Sequence, residues 1–274
     1  LAFSGGLDTS FCCIYLAKDL NLEVHSVVVN TGGFDEAELK QIEERALSLG
    51  VASHNVIDET TNYYKDSIKY LIFGNVLKNA TYPLSVSAER VCQATAIANY
   101  AKKIGAECVA HGSTGAGNDQ VRFDMIFEIL VPNVEVITPI RDLKLSREAE
   151  IEYLHKHGVE VNAEKAKYSI NKGLWGTSVG GKETLTSNQY LPEESWPTPI
   201  TKTGTEQVTI DFVKGEPVAL NGEAMTSVEV IQKLQDLAQP YGVGRDIHVG
   251  DTIIGIKGRV GFEAAGPIII VKAH

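Results

Sequence analysis

Ser4-Gly5-Gly6-Leu7-Asp8-Thr9-Ser10 stands between a strand-like Leu1-Ala2-Phe3 and a helical stretch running from Phe11 to Leu20. Strand, glycine-rich turn and helix in that order make a phosphate-binding loop. The glycines let the backbone turn sharply and come close to a ligand. The exposed N–H groups and the helix N-terminus form an anion pocket, with the Ser and Thr hydroxyls as further donors. Asp8 would repel phosphate there unless a cation bridged the two, which points to magnesium. No lysine follows the glycines, so the loop is not of the G-x-x-x-x-G-K-[ST] kind. The plainer alternative is a Gly-Gly turn whose Asp8 and Thr9 only cap the helix. Position after a strand favours phosphate.

Outward from this loop, short apolar runs alternate with helical patterns as far as Pro139, as in a parallel α/β sheet. Val24–Val29 is a β-branched run suited to a strand covered on both faces. Asp35–Leu49 is helical, with Leu39, Ile42, Ala46 and Leu49 in phase and Gly50 as terminator. Val51–Ile57 reads as a strand, Ala88–Ile104 as a helix closed by Gly105, and Cys108–Ala110 and Val134–Thr138 as strands. Ser146–His157 adds a helix with Ser146 as its N-cap. The pattern then changes. Ser178–Thr205, rich in Gly, Ser, Thr and Pro, reads as loop. Gln207–Phe212 and Pro217–Leu220 form a hairpin around Lys214-Gly215, Ser227–Leu237 a helix, and Thr252–Ile256 and Pro267–Val271 strands. The expected fold is α/β: a Rossmann-like parallel sheet over residues 1–160 that binds a nucleotide, then an α+β domain over 161–274.

Composition narrows the possibilities. The 274 residues are 43% hydrophobic, enough for a substantial core. No run approaches the ~20 apolar residues of a membrane span, and no basic, apolar leader is visible at Leu1. A formal net charge of −10 disfavours a broad nucleic-acid surface, so neither nucleic acid nor membrane is expected as a partner. The four cysteines, Cys12, Cys13, Cys92 and Cys108, form no C-x-x-C pair, which fits a reduced, cytoplasmic chain without structural zinc.

A second glycine-rich loop, His111-Gly112-Ser113-Thr114-Gly115-Ala116-Gly117-Asn118-Asp119-Gln120-Val121-Arg122-Phe123, again follows a strand and opens a helix. Thr114, Asn118, Asp119 and Arg122 supply donors, acceptors and both charges beside glycines. Asp119 and Arg122 share a helix face and could hold an ammonium and a carboxylate. A cap and a surface ion pair are the plainer reading. Tyr82-Pro83 and Ser85–Ser87 form a polar break before a helix whose Arg90 could meet a carboxylate.

Ser4–Ser10 resembles the pyrophosphate loop of the N-type ATP pyrophosphatases, which split ATP between its α and β phosphates. His111–Phe123, Tyr168-Ser169-Ile170-Asn171, Leu174-Trp175-Gly176 and Gly242-Val243-Gly244-Arg245 narrow the likeness to the argininosuccinate synthase family, and it runs in order over the whole chain. The resemblance implies an ATP-dependent C–N ligase of arginine biosynthesis that joins citrulline to aspartate through an adenylated ureido group, releasing AMP and pyrophosphate. ATP and Mg2+ are the implied cofactors, and a homotetramer the implied assembly. Ala2, Phe3, Ser4, Gly5, Gly6, Leu7, Asp8, Thr9 and Ser10 would hold ATP, with Val29 beside the adenine, Gly112 against the nucleotide and Asp8 on the metal. Thr114, Asn118 and Asp119 would bind aspartate. Tyr82, Ser87, Asn118, Arg122, Ser169 and Ser178 would bind citrulline. Asp8, Ser4 and Arg122 are the residues expected to act on the reacting groups.

The chain departs from the family pattern at several positions. Ala116 stands where lysine is usual, Gly250 where a glutamate contacts citrulline, Phe262 where a tyrosine does, and Val91 where proline is usual. The run Ile256–Glu263 is also a loosened match. An α-ammonium facing Gly250 and Phe262 would lack compensation unless Glu263 or another acid took over. This opens a second acceptor, an α-N-acylated citrulline. A tRNA-modifying pyrophosphatase and a non-catalytic nucleotide-binding regulator are further alternatives; the first should show basic patches or paired cysteines.

Overall fold

The computed structural model describes residues 1–115, 117–161, 168–249, 253 and 258–274. Ala116, Gly250 and all but Ile253 of the strand expected over 252–256 lie outside the described residues. In chain order the first half contains α1 (Leu7–Lys18), β1 (His25–Asn30), α2 (Glu36–Ser48), β2 (Ser53–Asp58), α3 (Thr60–Tyr63), a π-helical turn (Tyr64–Ile68), α4 (Lys69–Phe73), α5 (Ser87–Ile104), β3 (Cys108–Ala110), α6 (Asp119–Leu130), β4 (Glu135–Ile137), α7 (Pro139–Asp142) and α8 (Arg147–Lys156). The second half contains β5 (Ser169–Gly173), β6 (Gly176–Gly180), β7 (Ile210–Val213), β8 (Glu216–Leu220), β9 (Glu223–Ala224), α9 (Ser227–Ala238), β10 (Arg245–Val249), β11 (Arg259–Glu263) and α10 (Ala265–Ala273). None of the described helices is long and apolar enough to cross a membrane.

β1 pairs in parallel with β2, and β3 with β4. Residues 1–3 lie between the two pairs. Ala2 bridges Val27 in parallel and its N–H donates to the Ala110 carbonyl, while Phe3 N–H donates to Val27. The spatial order is therefore β2, β1, residues 1–3, β3, β4. The first segment of the chain is central, and later strands are added outward on either side. In such a sheet the connections diverge at the centre, and the crevice at the carboxyl ends there is where ligands bind. The two glycine-rich loops leave from those ends.

Strand alternation separates two apolar layers. Val28 and Ala110 pack with Phe11, Cys12, Ile42, Ala46 and Leu154 on one face. Val27, Val29 and Val109 pack with Ala94, Ile97, Phe123 and Phe127 on the other. The helix expected over Asp35–Leu49 forms as α2: Asp35 accepts from Glu38 N–H, and Glu38 accepts from Asp35 N–H, a reciprocal cap. Ser146 caps α8 in the expected way.

A third apolar cluster joins Tyr63, Tyr64, Ile68 and Ile72 to Leu174, Trp175, Leu220, Val230, Ile231, Leu234 and Ile270. A segment before residue 74 thus completes the core of the second half. The antiparallel sheet there has the order β10-β11-β6-β5. Two expectations are corrected. Ser178 lies on β6, not in a loop, because Gly176–Gly180 is paired on both sides. Pro267–Val271 lies in α10, not in a strand, and packs on α9. A short apolar run fits either state. Pro267 falls in the first helical turn, where its missing N–H is not needed.

Candidate active site

At the first loop, Gly5 has φ +77°, a value only glycine adopts cheaply, and a Cβ there would also press on Ile42 at 3.3 Å. Gly6 is the N-cap of α1. Ser10 is fully buried: its hydroxyl donates to the Gly6 carbonyl at 2.7 Å and accepts from Arg45 Nε at 3.0 Å. Ala2 and Phe3 are held in the sheet, and Leu7 packs on the core. Ser4 is exposed, and Asp8 and Thr9 are half-buried beside the two glycines. The loop therefore divides into residues that build the turn and residues that face the crevice. Val29 points into the core, so its carbonyl is the group it presents, and Gln93 Nε2 approaches that carbonyl at 3.5 Å.

The second loop lies against the first. A Cβ at Gly112 would stand 3.2 Å from Asp8. Behind it, His111 is buried, with Nε2 2.9 Å from Asp124 Oδ1, and its Nδ1 accepts from Ser113 N–H at 3.2 Å. That donor fixes the tautomer, so Nε2 carries the proton toward Asp124. Arg141, arriving after β4, pairs with the other Asp124 oxygen and with Gln120, and Gln120 donates to the Gly115 carbonyl. Burial works against the Asp124 carboxylate, but the hydrogen bonds from His111 and Arg141 hold it below the usual carboxylate range. The backbone of 111–115 is anchored from three sides.

Asp8 has a second neighbour. Glu150, in the first turn of α8, is 2% exposed and hydrogen-bonds Asp8 through its carboxyl. Burial and the adjacent Asp8 push the Glu150 carboxyl up to about 8.

The third feature is a charged cluster at the start of α5 and α6. Arg90 Nε reaches Asp119 at 3.1 Å, and Arg122 reaches the other Asp119 oxygen at 3.3 Å. Arg90 also donates to Gln93 and Asn171, and Arg122 to the Ser87 hydroxyl at 3.4 Å. Asn171 donates to Ser178 Oγ at 3.4 Å. Ser87, Asp119, Arg122 and Ser178, picked from widely separated stretches of sequence, thus belong to one network. Ser169 lies two residues from Asn171 on the same face of β5 and is exposed. Asn118 accepts from Ile253 N–H at 2.7 Å, and Thr114 is exposed.

Glu89 was not expected at the site. It is fully buried behind Arg90, accepts from Thr31 at 2.6 Å and from Gln93 at 3.2 Å, and lies so close to Gly173 that a Cβ there would be 2.8 Å from its Oε1. Burial raises its pKa. Burial also works against the charge of Arg90, yet Asp119 and Glu89 hold its pKa above the ordinary value. In sequence Glu89 reads only as a first-turn acid of a helix; no signal there marks it as buried.

Tyr82 is buried, stacked on His248 with ring centroids 4.8 Å apart and tilted against Phe262 at 5.2 Å. Its hydroxyl accepts from Ser85 Oγ–H and Val86 N–H. Phe262 belongs to that packing. Glu263, next along β11, is buried beside Arg245, with 3.8 Å between Oε1 and Nε.

Comparison with known proteins bears on both halves of the chain. Residues 1–160 match the sequence model of the arginosuccinate synthase N-terminal HUP domain, and residues 168–274 that of the arginosuccinate synthase C-terminal domain. Argininosuccinate synthase of Methanocaldococcus jannaschii is 42% identical over 278 residues, covering 100% of this chain and 70% of that protein. The enzymes named so in Sulfolobus acidocaldarius and Xanthomonas campestris pv. campestris are 38% and 39% identical, with 100% of this chain and 70% of each protein covered. With both parts of the chain matched in order, and two glycine-rich loops meeting at the centre of a parallel sheet, the chain belongs to the argininosuccinate synthase family.

Proposed function

We propose that this chain joins citrulline to aspartate at the expense of ATP, giving argininosuccinate, AMP and pyrophosphate. The observation that carries the reading is the meeting of the two loops, Gly112 against Asp8, at the central crevice of the sheet. ATP turns the ureido oxygen of citrulline into a leaving group, and the amine of aspartate then displaces AMP. The N–H groups after Gly5 and the positive end of α1 receive the departing pyrophosphate, aided by the hydroxyls of Ser4 and Thr9. Asp8 would hold Mg2+: a hard carboxylate beside a phosphate pocket, with the Gly112 backbone against it, suits that ion, which would neutralise phosphate charge.

Arg90 lies between Glu89 and Asp119, whereas among the described residues Arg122 has Asp119 alone as its acidic partner, which makes Arg122 the cation to receive a substrate carboxylate. Ser87, Ser169, Asn171 and Ser178 line the same network and would orient citrulline. Thr114, Asn118 and Asp119 face the aspartate. No side-chain nucleophile is needed, because the reaction is one of placement and charge stabilisation.

Pyrophosphate release measured with ATP, aspartate and citrulline tests the proposal. The expected result is release that requires citrulline, with equimolar AMP. Release that ignores citrulline overturns it. A higher kcat/KM for N-acetyl- or N-succinyl-citrulline would move the acceptor to an α-N-acylated form.

A further inference from the structure

Glu150 is a carboxyl group in a place that stability alone does not explain. It is 2% exposed, hydrogen-bonded to Asp8, and its Oε2 is buried with no hydrogen-bond partner. Two carboxyl groups in contact resist being charged together, so a proton or a cation must lie between them. An unsatisfied buried oxygen carries a further cost, which an apolar side chain at the same position would avoid. Both costs fall away if a cation occupies the place.

The surroundings decide what kind of cation. Asp8 directly follows Gly5-Gly6 and Leu7 in the first turn of α1, and the Gly112 backbone closes its other side. Among the described residues no group of three or more His, Cys, Asp or Glu stands close enough to hold a metal. The protein therefore offers two carboxylates, too few for zinc or calcium. Magnesium commonly binds through one or two carboxylates and takes its other ligands from substrate phosphates and water.

We infer that Glu150 is the second protein ligand, with Asp8, of a divalent-cation site completed by the phosphates of bound ATP. The inference rests on the reading of Ser4–Ser10 as the phosphate loop. With nucleotide and metal bound, Oε2 gains the partner it lacks.

Mn2+ binding to the full chain, followed by loss of the free-ion electron paramagnetic resonance signal in the presence of α,β-methylene-ATP, tests this without turnover. Glu150→Gln keeps an amide beside Asp8 and should fold, as a thermal melt will show. The expected result is Mn2+ affinity lowered at least tenfold in both Glu150→Gln and Asp8→Asn, with metal-free affinity for the analogue changed less than twofold in Glu150→Gln. Glu150→Asp, which keeps the charge on a shorter stem, should lose less than Gln and serves if Gln fails to fold. Wild-type Mn2+ affinity in Glu150→Gln, with loss in Asp8→Asn, overturns the role of Glu150 and leaves the nucleotide reading intact. Failure of the wild type to bind the analogue overturns both.

Discussion

A Cβ placed on Gly112 would lie 3.2 Å from both the Cβ and the carbonyl carbon of Asp8. The two loops of the crevice are thus spaced by the absence of one methyl group. Gly112→Ala must push them apart by a few tenths of an ångström, because the atom it meets is backbone at the start of α1. The expected outcome is a rise in the KM for ATP of about tenfold, equivalent to about 1.4 kcal/mol, with the KM for aspartate changed far less. Initial-rate kinetics with each substrate varied in turn checks it. An unchanged KM for ATP would mean that the loop spacing is not set here.

Arg122 shares Asp119 with Arg90 and also holds Ser87. Lysine at 122 keeps the charge but cannot contact two partners through a planar fork. Arg122→Lys should raise the KM for citrulline about tenfold, near the ~1.5 kcal/mol of a lost charge-assisted hydrogen bond, and leave the KM for ATP within twofold. Asp119→Ala should instead weaken aspartate binding, since it removes the acceptor for an ammonium and the acidic partner of Arg122, while Arg90 keeps Glu89. Equal effects on all three substrates in either variant would point to a collapsed cluster rather than to recognition.

The nucleotide-binding half was legible because its signals are local. Ser4–Ser10 and His111–Phe123 each carry strand, glycine turn and helix within a dozen residues, and Asp35 and Ser146 announce their helices through caps. What escaped detection depends on contacts between distant segments. Ser169–Gly173 and Gly176–Gly180 form strands because each finds a partner, not because of their composition. Gly244 shows the same thing: with φ +76° and the Ala264 carbonyl 2.6 Å from where its Cβ would be, it exists to let β10 pass the start of α10. Glu89 and Glu150 carry ordinary first-turn acid signatures, and only packing reveals that each is buried against the site. Arg90 was legible as a candidate for a carboxylate, but its partner Asp119 became visible only in three dimensions.

The His111–Asp124–Arg141 network gives a pH dependence with a definite sign. Asp124 is held below its unfolded value, so its contribution to stability is present above the ordinary carboxylate range and is lost as pH falls through its native pKa. Asp124→Asn removes that contribution. The unfolding free energy of the wild type should fall more steeply than that of Asp124→Asn as pH drops below about 4, measured by urea titration at each pH. Parallel curves for the two proteins would show that the ion pairs add nothing.

Glu263 gives the last prediction, which bears on the acceptor. Its carboxyl is fully buried beside Arg245, which also pairs with Glu193 at 2.8 Å, donates to the Thr198 carbonyl and lies over the Trp196 ring. That assembly ties the 193–198 segment to the sheet. Removing one member of a buried ion pair costs about 3–5 kcal/mol in general, and less where the cation keeps other partners, as Arg245 does here. Glu263→Gln should therefore lower the thermal midpoint by several degrees and leave the KM for citrulline within threefold. Phe262, its neighbour on the opposite face of β11, packs on Tyr82 instead, so the two positions are separable by experiment. A tenfold rise in the citrulline KM with an unchanged midpoint would place Glu263 at the acceptor's α-ammonium, and would require β11 to turn its buried carboxyl toward Tyr82.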